Sequence, residues 1–169
     1  MMRYHSDDAR SIERDPSLRL ITLSLATGLL LNLLPYPDAW FEYKPDFVAL
    51  LLAYWALRMR RSFPFALAFA AGVLMDVAYT AALGQHAFAY AALLVVAHVL
   101  KGPYVIANRA QQAVFAGLAL AAAIAASLLV SWAYESIAVG AADFKPALVG
   151  MLLWLLLPLL LAPRSPAGG

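Results

Sequence analysis

Between Leu18 and Ala162 the chain passes through six apolar stretches separated by short polar connections, and no other feature restricts its fold as strongly. A helix needs about 20 mostly apolar residues to cross about 30 Å of hydrocarbon at 1.5 Å per residue. The stretches are Leu18 to Leu34, Pro45 to Leu57, Phe63 to Leu83, Ala87 to Leu100, Gln112 to Tyr134 and Ala147 to Ala162. The third and fifth are long enough to span with some tilt. The second and fourth hold only 13 and 14 residues; a full crossing completed by flanking polar residues and a short or re-entrant helix are both open for them. Composition agrees, since 64% of the 169 residues are hydrophobic and 13% charged, against about 45–50% and 25% in a soluble domain. That balance excludes an ordinary soluble enzyme, and disorder too, because disordered chains are poor in apolar residues. With no cysteine, a disulfide scaffold and a thiolate metal site are also excluded.

The few charges test the count, because cytoplasmic loops carry the excess of Lys and Arg. With six spans and the N-terminus inside, Arg3, Arg10, Arg14, Arg19, Arg58, Arg60, Arg61, Lys101, Arg109 and Arg164 are cytoplasmic, and only Lys44 and Lys145 face outward. Merging two neighbouring stretches would strand the Arg58, Arg60, Arg61 cluster or the Lys101 and Arg109 pair on the wrong side. The sequence therefore predicts an all-α polytopic membrane protein, a compact bundle of six transmembrane helices with both termini cytoplasmic. Its parts are a polar tail over 1–17, a transmembrane domain over 18–163 and a short tail over 164–169. The net charge of +2 follows from topology, and no nucleic-acid partner is expected.

In the third stretch Ala68, Gly72, Asp76, Thr80 and Gly84 recur every fourth residue, which on a continuous helix gives one face of small residues around a carboxylate. Small residues let helices approach closely in lipid. An aspartate at depth costs about 2.5 kcal/mol or more on insertion scales, so Asp76 must face protein or water and have a partner. It is read either as a ligand, proton or partner site, or as a packing carboxylate that caps a neighbouring backbone. The fifth stretch is small on two faces, Ala119, Ala123, Ser127, Ser131 and Glu135 on one and Ala113, Gly117, Ala121 and Ala125 on the other, which places it centrally. No zinc-binding His-Glu-x-x-His helix, nucleophile elbow or phosphate loop is present. Asp76 and His86 form a weak proton-exchanging pair by spacing alone, and His86 reads equally as a turn residue. Tyr36, Trp40, Tyr43, Tyr54, Trp55, Trp132, Tyr134 and Trp154 fall mostly near helix ends, as an interfacial aromatic belt would.

Four motifs stand in order across Pro45 to Ala87. They are Lys44-Pro45-Asp46-Phe47, Tyr54-Trp55-Ala56-Leu57-Arg58, Gly72-Val73-Leu74-Met75-Asp76-Val77 and Leu83-Gly84-Gln85-His86-Ala87. In order and separation they resemble the pattern of the MreD family of rod shape-determining proteins, and length and hydropathy agree over nearly the whole chain. The fifth and sixth stretches match in hydropathy only. The resemblance implies an inner-membrane scaffold of the cell elongation complex, without enzymatic activity or cofactor, that binds MreC. It would act with MreB, RodA and a class B penicillin-binding protein in lateral peptidoglycan synthesis and rod shape. The family is also similar in fold to the substrate-binding components of vitamin transporters, which implies a pocket on the outer side. In that picture Pro45 and Asp46 start the second helix, while Gly72, Asp76, Gly84 and Gln85 shape the pocket or a partner surface. Arg58, Arg60 and Arg61 meet anionic membrane lipids or a cytoplasmic partner, or serve topology alone. The alternative function is a small-molecule-binding component of an uptake transporter; an intramembrane enzyme ranks behind both.

Overall fold

The computed structural model of the protein describes residues 16–135 and 140–161; the expected tails, 1–17 and 164–169, lie outside the described residues apart from Pro16 and Ser17. Every regular element among the described residues is helical: α1 (Leu18–Leu33), α2 (Asp38–Phe41), α3 (Phe47–Arg58), α4 (Phe65–Tyr79), α5 (Gln85–Ile106), α6 (Arg109–Glu135), α7 (Lys145–Trp154) and α8 (Leu157–Leu161), with a 3-10 turn at Ala141–Phe144. Of these, α5 and α6 are long and apolar enough to cross a membrane unaided, while α1, α3 and α4 are shorter apolar helices.

The shortest of the main apolar helices but one lies at the centre. Every residue from Val48 to Leu57 in α3 is buried, with α1, α5, α6 and α7 packed around it. A helix apolar on all sides belongs inside a bundle, and α3 needs no lipid contact to satisfy its surface. At 12 residues it is about 18 Å long.

Three stretches differ from their sequence limits. The third ends as helix at Tyr79, not Leu83, because Thr80 turns into the left-handed region at φ 51° and Gly84 stands at φ 97° before α5 begins. Thr80 and Gly84 are therefore off the face that Ala68, Gly72 and Asp76 share. The fourth is longer than its 14 apolar residues: α5 runs 22 residues, about 33 Å, past Lys101 to Ile106. Pro103 lies in its last turn, where the missing N–H removes one bond near the end and does not break the helix. The sixth is interrupted at Leu155–Leu156, because the ring of Pro158 would meet the carbonyl of Trp154, four residues before it, had α7 continued.

Helices α4 and α5 form an antiparallel hairpin whose closest approach is at Gly72. A Cβ there would stand 2.5 Å from the backbone nitrogen of Ala87 and 2.8 Å from the carbonyl carbon of His86, so the small face of α4 is turned into its own chain. On α6, Ala116, Ala119, Ala123 and Ala126 are buried, Gly117 packs against Met151 of α7, and Ala125 is exposed. One small face is thus central and the second partly so. The aromatic belt also divides. Trp40, Tyr43, Trp132 and Tyr134 are exposed, whereas Tyr54, Trp55 and Trp154 are buried, with Tyr54 5.0 Å from Trp55 and 5.6 Å from Trp154 between ring centres. These three fill the core because α3, which carries two of them, is enclosed. Two ends result: a polar end with Asn32, Lys44, Asp46 and Asp76, and an arginine end where α1 and α4 begin and α3 and α5 finish.

Candidate functional site

At the polar end, the last turn of α4 and the first of α5 are joined through one carboxylate. Asp76, 1% exposed, accepts hydrogen bonds from the backbone N–H of Gly84 at Oδ2 (2.7 Å) and of His86 at Oδ1 (2.7 Å). His86 Nδ1 lies 2.8 Å from the same Oδ1. The first N–H groups of a helix have no partner within it, and a negative charge there also meets the positive end of the helix dipole. Gly84 itself has no capping side chain, and Asp76 supplies the missing acceptor from the preceding helix. The positive φ of Thr80 and Gly84 turns the chain back so that this is possible.

A second carboxylate starts α3 in the same way. Asp46 is its N-cap, with Oδ1 accepting from Ala49 N–H (3.0 Å) and from Asn32 Nδ2 (2.8 Å), and Oδ2 from the Tyr90 hydroxyl (2.7 Å). Asn32, 2% exposed, returns its own Oδ1 to Phe47 N–H (2.9 Å), so α1, α3 and α5 meet at one polar knot. The carbonyl of Asn32 accepts from Lys44 Nζ and from the Tyr79 hydroxyl, and Nζ also lies 4.8 Å above the Tyr36 ring. His86 is held between two rings, Tyr79 stacked at 5.9 Å and Tyr90 edge-on at 6.1 Å.

Two adjoining cavities of about 210 and 320 Å³ open here and share Lys44, Pro45, Asp46 and His86 on their walls. The smaller reaches apolar side chains of α6, Leu120, Ile124 and Leu128; the larger is backed by Met75 and Tyr79. Gln85 stands outside this wall and donates from Nε2 to Ser127 (2.8 Å) and Ser131 (3.0 Å), tying α5 to α6. Across the rim, Lys145 pairs with Glu42 at 2.6 Å. The hydrogen bond to Glu42 raises the Lys145 pKa above the ordinary lysine value.

Of the six positions singled out at this end, Pro45 and Asp46 line the cleft, Asp76 and Gly84 stand behind its His86 wall in the α4–α5 turn, Gly72 lies at the helix crossing, and Gln85 belongs to the α5–α6 contact. Arg58, Arg60 and Arg61 are at the other end, where the Arg58 guanidinium sits 5.3 Å over the Tyr54 ring. Sequence reasoning missed Asn32, Tyr79 and Tyr90. Asn32 had a signal, a lone amide within Leu29 to Leu34; the two tyrosines had none, since a hydroxyl aimed at a carboxylate and one aimed at a headgroup look alike in one dimension. The arrangement fixes backbone and positions helices. Asp76 faces three nitrogens of its own chain and is closed off from the cleft by them.

Among the described residues no group of His, Asp and Glu is placed to hold a metal ion. A family model described as rod shape-determining protein MreD matches residues 17–163, and no solved structure matches the chain. That match covers all the described helices, from the N-cap of α1 through the polar knot to α8, and the chain belongs to the MreD family, membrane proteins that act in rod shape determination.

Proposed function

We propose that this protein is a multi-pass scaffold of the bacterial elongation complex, inserted in the inner membrane through six spans with both termini cytoplasmic. It binds MreC and, with MreB, RodA and a class B penicillin-binding protein, supports lateral peptidoglycan synthesis. It carries out no catalysis and uses no cofactor. Family membership supports the cellular role. The observation that carries the scaffold reading is Asp76: the most buried carboxylate among the described residues bonds to backbone of the next helix and to His86, which is architecture rather than reactivity. Pro45, Asp46, Gly84 and Gln85 hold the outward rim on which MreC is met. Arg58, Arg60 and Arg61 lie toward the negatively charged cytoplasmic leaflet.

Pairwise cysteine crosslinking tests this directly, because the chain has no cysteine of its own. Substitutions around the cleft rim are expected to crosslink to MreC, and a scan without a crosslink anywhere overturns the reading. Gly72→Leu is unsuited to the purpose, since it would disturb the α4–α5 crossing before any partner surface. The cleft favours a second reading, a small-molecule-binding component of an uptake transporter. That reading requires a discrete ligand retained through purification, and its absence by mass spectrometry would remove it.

A further inference from the structure

A second amphipathic cavity, of about 250 Å³, opens at the arginine end between the start of α4 and the end of α5. Its walls are graded along the helix axis. At the surface stand Ser62 and Lys101, one turn further in is His98, and deeper still are Leu94 and Val95, with Phe65 opposite on α4. Lys101 and Val95 are six residues apart, about 9 Å along α5. Beyond the cavity the apolar strip continues on α4, where exposed Phe65 and Phe69 stack at 6.4 Å. Lys101 Nζ donates to the carbonyls of Arg60 (3.2 Å) and Arg61 (3.0 Å), which fixes the α3–α4 loop as the lip of the groove. The basic side chains Arg19, Arg58, Arg60, Arg61, Lys101 and Arg109 gather at this end. Among the described residues the acidic side chains Asp38, Glu42, Asp46, Asp76 and Asp143 sit at the other end or in its loops.

We infer that this groove is a binding site for an anionic phospholipid, with the phosphate at Ser62, His98 and Lys101 and an acyl chain laid along Val95, Val99 and Phe65. Charge complementarity selects the occupant. A zwitterionic lipid fits the apolar walls equally well, but an anionic headgroup alone uses the positive field at the mouth. A lysine ammonium and a hydroxyl are suitable donors to a phosphate, and a basic pocket between membrane helices on the cytoplasmic side is suited to anionic headgroups. The site is distinct from the three arginines already placed toward the leaflet, because its polar mouth adjoins an apolar wall of Leu94, Val95, Val99 and Phe65 along which an acyl chain can lie.

Native mass spectrometry of the intact, detergent-solubilised protein with equimolar dioleoyl-phosphatidylglycerol and dioleoyl-phosphatidylcholine tests it. Preferential retention of phosphatidylglycerol is expected. Lys101→Gln should lower that preference about fivefold, the contribution of one near-surface basic residue, whereas Lys101→Arg and Arg109→Gln should leave it in place. Val99→Trp, which fills the groove without changing charge, should lower retention of both lipids. Equal retention of the two lipids overturns the site, and so does equal loss in Lys101→Gln and Arg109→Gln, which would mean diffuse surface charge. An unaltered Val99→Trp overturns it as well. The inference rests on the membrane reading above and fails separately from it: MreC crosslinks without lipid preference reject the groove alone, and lipid preference without crosslinks rejects the scaffold alone.

Discussion

Asp76 organises the polar end through two oxygens that do different things. Oδ1 takes both the backbone N–H and the ring nitrogen of His86, and Oδ2 takes the N–H of Gly84. Asparagine at this position keeps one oxygen and turns an NH2 donor toward one of those donors. A buried donor left unmatched costs about 1–3 kcal/mol, so Asp76→Asn is expected to lower the unfolding midpoint in detergent by that amount of stability, and Asp76→Ala by more. An Asn variant that melts with the parent would show that the carboxylate does not hold the hairpin. Asp46→Ala removes an N-cap, worth about 0.5–2 kcal/mol, together with the acceptor for Tyr90 and Asn32. Its loss is expected to exceed the cap alone, and double substitution with Tyr90→Phe should cost less than the sum of the two singles because the interaction is shared.

Two elements depend on close approach rather than on individual bonds. Gly72 lets α4 touch the first turn of α5 backbone to backbone, and a methyl group there must push Ala87 away. Overpacking of this kind costs about 1–3 kcal/mol; Gly72→Ala is expected to show it in thermal melts, whereas Gly102→Ala, where a Cβ meets nothing and the helix gains propensity, is expected to melt no lower than the parent. The Glu42–Lys145 pair links the loop before α3 to the start of α7. Because the folded-state lysine pKa is raised, its contribution is complete below the unfolded lysine pKa and fades as pH rises through the folded one. Both side chains are at the surface and screened by solvent, so the effect is small. Glu42→Gln should lower stability slightly at neutral pH, where the contribution is complete, and flatten the alkaline limb of a pH-stability profile so that variant and parent converge at high pH. A steeper alkaline limb in the variant would contradict the assigned sign.

For the whole molecule, charge sorts the two ends. Arg58, Arg60, Arg61, Lys101 and Arg109 lie at the end opposite Lys44 and Asp46, and the proposed orientation puts that end in the cytoplasm. Single cysteines at Leu83, exposed in the polar-end hairpin turn, and at Ser62, exposed in the arginine-end loop, should separate in intact cells. A membrane-impermeant maleimide is expected to label position 83 and not position 62; the reverse pattern would invert the topology. The bundle also explains how a helix of about 18 Å contributes to such a domain. Enclosed by α1, α5, α6 and α7, α3 meets protein rather than lipid, so its length need not match the bilayer.

Sequence alone determined the helical class and the family, because apolar runs and ordered motifs are one-dimensional properties. It also marked Asp76 as a residue in need of a partner, since a carboxylate among apolar neighbours cannot stand without one, and Asp46 as the start of a helix. Only the tertiary structure decided who those partners are. Regular four-residue spacing suggested one helical face from Ala68 to Gly84, yet that periodicity assumes continuous helix, and the left-handed turn at Thr80 breaks it so that Gly84 and His86 can meet Asp76 from the next helix. Likewise Tyr54, Trp55 and Tyr90 carry the same amphipathic chemistry as Trp40 and Tyr134, and burial by neighbouring helices is what assigns the first three to the interior. Hydropathy measures how much surface must leave water; which neighbour covers it is decided by packing between segments far apart in the chain.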